Sequence, residues 1–308
     1  MQTAQPKPKA QIRTMGYATL ALVAFAANSV LCRIALRQAV IDPATFSTIR
    51  LTSGAAILLL LSARARGQAL PVAHSWMSAG LLSLYAIPFS FAYIRLTTGT
   101  GALILFGSVQ ATMLVAALRS GDRPHSSQWL GLGVALAGLA YLMLPGLSAP
   151  PLADAALMGL AGFSWGMYSL RGRRTANPLG QTASNFLRAV PFVVVVSAVE
   201  LRRFHVEASG LLLASASGIL ASGLGYVAWY GALGGLTATR AAIVQLAVPV
   251  LAAAGGVILL GEAVSARLVL STIAILGGIA LAIVGREETR GSERSAQGRG
   301  QPGVAKNI

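Results

Sequence analysis

Long stretches without a charged side chain constrain this chain more than any other feature. Residues 14–32, 96–118, 241–261 and 268–285 each contain no Asp, Glu, Lys or Arg. A helix needs about 20 apolar residues to cross the ~30 Å hydrocarbon core of a bilayer, so each stretch is long enough for one crossing. With only 11% charged residues, the chain also has too few charges to cover soluble domains of this length. The pattern predicts an all-α polytopic membrane protein.

The remaining apolar segments bring the predicted total to ten transmembrane helices. Two of the ten, the second and the seventh, carry an arginine inside the apolar segment, Arg50 and Arg188. The polar segments 1–13 and 287–308 are both predicted to be disordered cytoplasmic tails. The ten helices are predicted at about 14–36, 43–63, 77–95, 99–118, 127–146, 153–171, 178–199, 209–231, 238–260 and 266–285.

The distribution of Lys and Arg predicts the orientation. If both termini are cytoplasmic, the inner loops and tails hold 15 of these residues and the outer loops hold 6. An excess of positive charge marks the cytoplasmic side, so the chain is predicted to be N-in and C-in. The net charge of +15 therefore serves topology and does not indicate nucleic-acid binding. The single cysteine, Cys32, excludes an intramolecular disulfide and a Cys-rich metal site.

The two halves of the sequence resemble each other at a nearly constant offset. The match predicts a first five-helix repeat over 14–146 and a second over 153–286. The residues that align are Phe25–Arg33 with Phe163–Arg171 and Arg50 with Arg188 at an offset of 138, Tyr93 with Tyr230 at 137, and Leu130 and Gly138 with Leu270 and Gly278 at 140.

Because five is odd, the second repeat is predicted to cross the membrane in the opposite direction. Inverted repeats of this kind let one central site open to either side in turn, which favours a transporter over a duplication that serves stability alone. The repeat also bears on residues 7–27, which resemble a signal peptide with an A-x-A site at Ala24-Phe25-Ala26. Since this segment has a counterpart in the second half, it is predicted to remain as the first helix.

Several short motifs carry a resemblance to a known family. They are Phe25-Ala-Ala-Asn28, Phe46…Arg50-Leu51, Phe163-Ser-Trp165-Gly, Gln245-Leu-Ala-Val-Pro249 and Gly261-Glu262. In order and spacing they resemble the drug/metabolite transporter superfamily, in its ten-helix EamA-type branch. The resemblance covers about residues 15–286.

A second set of segments is similar to amino-acid exporters of the YddG type. These segments are Ser83–Tyr93, Phe106–Gln110 and Gly223–Tyr230. The resemblance implies a multi-pass protein of the bacterial inner membrane that exports amino acids, with aromatic and other neutral ones favoured. Export of other small metabolites or drugs of the same superfamily is the alternative.

Polar and aromatic residues at helical spacing are the candidates for lining the transport path. Amide side chains can serve both the ammonium and the carboxylate of an amino acid, and aromatic faces attract cations. Packing between helices, and for tyrosines a place at the membrane interface, are the alternative roles. The candidate substrate-binding residues are Asn28, Tyr85, Phe89, Phe106, Gln110, Trp165, Tyr168, Ser222, Tyr226, Trp229 and Gln245.

Four further residues are predicted to have structural or gating roles. Pro88 and Pro249 are expected to break or bend their helices and expose backbone groups. Arg50 and Arg188 are expected to share one structural role because they are equivalent in the repeat. A clamp on the substrate carboxylate is the sharper hypothesis for these arginines. Helices 2 and 7, however, are expected to lie away from the central path.

The near absence of acidic residues limits the possible functions. Asp42 and Asp154 are predicted in loops, and Glu262 at a solvated helix end, so no span is expected to contain a carboxylate. Neither metal nor cofactor is expected, and no catalytic group or phosphate-binding loop supports an enzyme or an ATP-driven pump. A passive channel and a membrane-embedded enzyme remain as alternative classes. The expected partners are an amino-acid substrate and the lipid bilayer, without nucleic acid, and the chain is expected to be a monomer or a weak homo-oligomer.

Overall fold

The computed structural model describes residues 8–65, 76–119, 126–144, 149–172, 177–233, 235–236 and 244–281. Within these residues the chain forms ten helices of 14 residues or more, here numbered in chain order. They are α1 (Pro8–Arg37), α2 (Pro43–Arg64), α3 (Trp76–Ala92), α4 (Thr98–Arg119), α5 (Ser126–Met143), α6 (Leu152–Gly172), α7 (Pro178–Val199), α8 (Ala208–Leu233), α9 (Ala247–Leu260) and α10 (Ala266–Leu281).

Among the described residues, four helices are long and apolar enough to cross a membrane by length and composition. They are Ile12–Arg37 within α1, α2, α7 and α8. The helices α3, α9, α10 and the 129–143 part of α5 are apolar but shorter. The all-helical prediction is therefore confirmed, and most helix limits agree with it to within a few residues. The helix α1 begins earlier than predicted, at Pro8, while the predicted tail 287–308 lies outside the described residues.

The helices α2 and α7, which are equivalent in the repeat, begin with the same local signal. Asp42 precedes Pro43, and its side chain accepts a hydrogen bond from the Thr45 amide at 2.9 Å. Asn177 precedes Pro178, and its side chain accepts from the Gly180 amide at 2.9 Å. In each case a side-chain oxygen accepts from a free amide of the first turn. A proline is tolerated at the start of a helix because the N–H that it lacks would have no partner within the helix.

Most of the extensive helix contacts are kept when the two halves are exchanged, although, among the described residues, α2–α3 and α1–α4 pack without a comparable contact between α7 and α8 or between α6 and α9. The exchange replaces α1–α5 with α6–α10. Helix α3 packs on α6, and their counterparts α8 and α1 pack together in the same way. Helix α4 packs on α6, and their counterparts α9 and α1 also pack together. Helix α3 packs on α7, and their counterparts α8 and α2 do so too. The pairs α2–α7 and α4–α9 map onto themselves. The sequence repeat is therefore matched by a repeat in the packing.

Repeat-equivalent glycines bring α5 and α10 close together. A Cβ added to Gly138 would press on Ala274 and Ile275 of α10. A Cβ added to Gly278 would press on the backbone of Gly131 and Ala135 of α5. Each glycine thus meets the opposite helix, and small residues of this kind permit close helix approach in membranes.

An ion pair at the end of α1 corrects the prediction for Glu262. The Glu262 side chain is 7% exposed, lies 3.2 Å from Arg33 Nε, and accepts from the Thr98 amide at 2.8 Å. Arg33 also donates to the Tyr93 and Ile94 carbonyls at 2.9 and 2.7 Å. Gly261, at φ +62°, ends α9 in the left-handed conformation and turns the chain back over it. Glu262 is therefore buried in a junction between α1, α4 and α9, where a solvated position was predicted.

Asp154 also differs from the loop position predicted for it. The predicted helix 153–171 already includes Asp154, and the structure places it in the first turn of α6 and not in the preceding loop, with 4% exposure. Its Oδ2 lies 2.7 Å from Arg95 Nε, and its Oδ1 accepts from Arg95 Nη2 at 3.3 Å. A negative charge in the first turn is favoured by the helix dipole, and the arginine supplies the opposite charge.

Candidate functional site

A small cavity lies between the two halves of the bundle. Helices α1–α4 of the first half and α6 and α8 of the second contribute to its wall. Its volume is about 20 Å³, which is room for about one water molecule. The centre is therefore contracted in this conformation. The lining residues are Phe25, Asn28, Ser29, Arg50, Tyr85, Phe89, Leu105, Phe106, Trp165, Ala221, Ser222 and Tyr226.

Arg50 lies in the wall of this cavity and is 2% exposed. Its Nε donates to Ser222 Oγ at 3.1 Å, and its Nη2 donates to the Tyr85 hydroxyl at 2.9 Å. Its guanidinium carbon lies 5.1 and 5.0 Å from the ring centroids of Tyr85 and Phe89. The expectation that helix 2 lies away from the central path is therefore wrong at Arg50, because α2 packs against both α3 and α8.

Further hydrogen bonds lead from Tyr85, the partner of Arg50, to Asn28 of α1 and from Asn28 to Ser217 of α8. Asn28 Nδ2 donates to the Tyr85 hydroxyl at 3.3 Å, and Asn28 Oδ1 accepts from Ser217 Oγ at 2.7 Å. Ser217 and Ser222 both belong to a π-helical segment, Ser217–Leu224, in the middle of α8. Since a π-helix bonds residues five apart, the segment brings these two hydroxyls to the same side of the helix. The polar chain runs Ser217, Asn28, Tyr85, Arg50, Ser222.

Aromatic rings form the other part of the wall, with Trp165 at their centre. The Trp165 ring lies 5.0 Å from that of Tyr85 and 5.2 Å from that of Tyr226, measured between centroids. Tyr168 stacks on it at 5.5 Å and 27°. These rings provide an apolar surface beside the polar chain, which is the combination that an amphipathic small molecule requires.

The structure brings seven of the eleven candidate substrate-binding residues to the cavity and places four outside its lining. Gln110 and Gln245 are each 7% exposed in the helix packing. Tyr168 stands behind Trp165, with its hydroxyl accepting from Asn185 Nδ2 at 3.2 Å. Trp229 packs edge-on against Phe25 at 5.9 Å. The seven residues that line the cavity are Asn28, Tyr85, Phe89, Phe106, Trp165, Ser222 and Tyr226.

Ser29, which follows the candidate Asn28 in α1, also lines the cavity, and sequence reasoning did not assign three further lining residues. Leu105 and Ala221 are ordinary apolar residues with no signal that distinguishes them from the rest of their helices. Phe25 did carry a signal, because it lies one turn before Asn28 in α1 and shares its face.

The remaining structural candidates differ from expectation in detail. Helix α3 continues through Pro88 to Ala92, so this proline does not break it. Pro249 is the third residue of α9, where a proline is easily accommodated. The predicted start of this helix, at 238, lies outside the described residues. Arg188 is half-buried on α7 and donates to Ser184 Oγ of its own helix.

Tyr93, for which the interfacial belt was one alternative, is fully buried at the end of α3. Its hydroxyl donates to the Thr98 carbonyl at 3.3 Å, and its ring meets that of Phe89 at 4.8 Å. These contacts place Tyr93 in the packing between α3 and α4.

A second, larger cavity lies beside the first. Its volume is about 160 Å³, and it is bounded by α2, α7 and α8 near the end of α2 and the beginning of α7. Tyr226 lines both cavities and therefore stands between them. The other residues around it are Leu58, Pro178, Leu179, Thr182, Val227 and Tyr230. In the described part of the chain, no group of three or more His, Cys, Asp or Glu is placed to hold a metal ion.

Two matching helical halves around one buried polar cavity are an architecture of secondary transporters. Comparison with known proteins agrees with a transporter. The profile of the EamA-like transporter family matches the chain twice, over residues 13–144 and 154–284. The chain therefore belongs to the EamA-like transporter family and is a multi-pass membrane protein, which confirms the family resemblance found in the sequence.

Individual relatives add less about function. A Pseudomonas aeruginosa protein described only as uncharacterized protein PA1977 is 49% identical over 274 residues, covering 89% of this chain and 96% of that one. An Archaeoglobus fulgidus protein described as an uncharacterized transporter is 24% identical over 249 residues, covering 76% and 84%. A solved structure titled "Crystal structure of protein" has a TM-score of 0.59 at 20% identity, covering 87% and 99%, and shows the fold alone.

Proposed function

We propose that this protein is a secondary transporter that exports amino acids across the bacterial inner membrane. Aromatic and other neutral amino acids are the favoured substrates. The observation that carries the proposal is the central cavity, whose wall combines a hydrogen-bonded polar chain with a cluster of aromatic rings. An amino acid presents the matching chemistry, with two charged groups on one carbon and a side chain of variable polarity. The similarity of Ser83–Tyr93 and Gly223–Tyr230 to YddG-type exporters supports the same substrate class.

Transport is proposed to proceed by alternating access between the two repeats. A cavity of about 20 Å³ is far smaller than an amino acid, so the helices must separate to admit one. The symmetric pairing of helices gives the two halves equivalent interfaces along which they can separate at either end. In the proposed topology of ten spans with both termini cytoplasmic, the larger cavity beside Tyr226 lies toward the cytoplasm. The junction of Arg33 with Glu262 lies toward the outside.

The proposal is tested by counterflow in proteoliposomes. Labelled phenylalanine, leucine, lysine and glutamate are offered to vesicles loaded with the same unlabelled amino acid, with and without a pH gradient. We expect uptake of phenylalanine and leucine to be stimulated by internal substrate. Uptake without such stimulation would indicate a pore, and absence of uptake for all four would contradict amino-acid transport.

A pair of variants tests the central cavity as the path. Trp165→Ala removes the ring at the centre of the wall and is expected to change the ratio of phenylalanine to leucine uptake at least roughly threefold, because it alters the pocket offered to the substrate side chain. Trp229→Ala removes a ring that packs on Phe25 outside the lining and serves as the matched control. An unchanged ratio in the Trp165 variant, or an equal change in both, would place the path elsewhere.

A further inference from the structure

Arg50 is the charged residue in the wall of the central cavity, and it has no opposite charge beside it. Among the described residues, no carboxylate oxygen lies within the 4.0 Å of an ion pair with its guanidinium. Burying a cation away from water and from any counter-charge is expensive, and in membrane proteins such residues commonly mark a pathway.

The partners that Arg50 does have are neutral. The hydroxyls of Tyr85 and Ser222 accept from two of its nitrogens, and the rings of Tyr85 and Phe89 lie against the guanidinium. These contacts leave the full positive charge in place. They also leave Nη1, which is buried and has no hydrogen-bond partner within the described residues. A buried guanidinium nitrogen without an acceptor is uncommon and calls for an explanation.

We propose that Arg50 is the binding residue for a carboxylate on the transported molecule. A carboxylate supplies the missing negative charge and an acceptor for Nη1, and the planar guanidinium can hold both of its oxygens. The Tyr85 and Ser222 hydroxyls are neutral acceptors that this carboxylate can replace. The cargo class is then small carboxylic acids with an apolar part, and amines that lack the acid group are excluded. For amino acids this inference rests on the proposed function and identifies which end of the molecule is held.

The repeat provides the control. Arg188 is equivalent to Arg50 at an offset of 138, but it is half-buried, donates to Ser184 on its own helix and does not line the cavity. If Arg50 were present only because the repeat places an arginine at this position in both halves, substitutions of Arg50 and of Arg188 would have the same effect on selectivity. If Arg50 binds the carboxylate of the transported molecule, only substitution of Arg50 will alter selectivity for the acid group.

The test compares acids with their amides on the purified full-length protein. Phenylalanine and phenylalaninamide compete for uptake into proteoliposomes, and 3-phenylpropionate and 3-phenylpropanamide are compared by the shift in melting temperature that each produces. We expect the wild type to favour each acid over its amide by roughly 10- to 100-fold, the range of a charge-assisted hydrogen bond. Arg50→Gln should bring acid and amide to within about threefold, Arg50→Lys should keep part of the preference, and Arg188→Gln should keep all of it.

The outcomes separate this inference from the proposed function. If no amino acid is transported but 3-phenylpropionate still stabilises the wild type more than its amide, the substrate class is wrong and the role of Arg50 stands. A wild type that does not distinguish acids from amides overturns the inference whether or not any variant folds. It is also overturned if Arg50→Gln weakens acid and amide by the same factor, since that indicates packing alone. Should Arg50→Gln not fold, the wild type and Arg50→Lys decide the question.

Discussion

Arg50 and Arg188 occupy the same position in the two repeats, yet their surroundings differ. Arg50 is 2% exposed and reaches across the bundle to α3 and α8. Arg188 is half-buried and turns to Ser184 on α7. The two arginines therefore differ in burial, and the shared structural role expected from their equivalence stays a prediction. A duplicated sequence position reproduces the backbone, but the partners that arrive from other helices determine the environment.

Symmetry itself explains why only one arginine lies at the centre. The two acceptors of Arg50, Tyr85 and Ser222, are themselves repeat-equivalent at an offset of 137, the offset of Tyr93 and Tyr230. The same pair would therefore face an arginine from either half. Two guanidinium groups in one cavity of about 20 Å³ would repel each other strongly, since little water is present to screen them.

The largest expected effect is at Gly218, where α8 packs on the backbone of Arg50. A Cβ at this position would overlap the Arg50 carbonyl oxygen and Ser53 Oγ. Gly218→Ala is expected to lose about 2–3 kcal/mol of stability, because backbone atoms cannot move aside. Gly80 of α3 serves as the comparison because it has nothing within 4 Å of an added Cβ. Gly80→Ala should leave stability unchanged or raise it by up to about 1 kcal/mol. Unfolding in mixed micelles measures both, and equal losses would contradict the asymmetry.

The next prediction is a gain in stability. Arg50→Met replaces an uncompensated buried cation by an apolar chain of similar length. We expect a gain of about 1–2 kcal/mol, because the cost of burying the charge exceeds the return from its two hydrogen bonds to neutral hydroxyls. Arg188→Met should change stability by less than about 0.5 kcal/mol. Melting temperatures of the purified variants provide the measurement. A clear loss of stability in Arg50→Met would show that the arginine is there to support the fold.

The smallest effect is the coupling between Arg50 and one hydroxyl, about 0.5–1 kcal/mol. Tyr85→Phe keeps the ring but removes the acceptor shared by Arg50 Nη2 and Asn28 Nδ2, and should cost about 1–2 kcal/mol. In the Arg50→Met background the same change should cost about half as much, because only the Asn28 donor remains. A double-mutant cycle on unfolding measures this coupling. Equal costs in both backgrounds would mean that the Tyr85–Arg50 hydrogen bond contributes nothing.

Charge-free segments and capping residues made the helices largely predictable from the sequence. The limits of α2 and α7 agree because Asp42-Pro43 and Asn177-Pro178 encode a helix start locally. Residues on one face of α3 or α8 were also identifiable from helical spacing. The position of Arg50 was not, because Thr and Ser residues lie on several sides of the first half of α2 and do not show which side faces the centre. Glu262 was misplaced for a different reason, since a left-handed turn at Gly261 folds it back over α9.

Arg50 also has a consequence for how the protein is made. When a spanning helix enters the membrane alone, an arginine at its centre costs about 2.5–3.5 kcal/mol, which is an upper value for Arg50, the eighth of the 22 residues of α2. The Tyr85 and Phe89 rings and the Tyr85 hydroxyl, which contact Arg50, are synthesised with α3. Ser222, its other hydrogen-bond acceptor, is synthesised 172 residues after Arg50. The last acceptor for the arginine therefore enters the bilayer only when most of the second half has been translated. Until then the buried arginine of the first repeat lacks one of its two hydrogen-bond acceptors. The first repeat therefore depends on the second for the full set of contacts around Arg50.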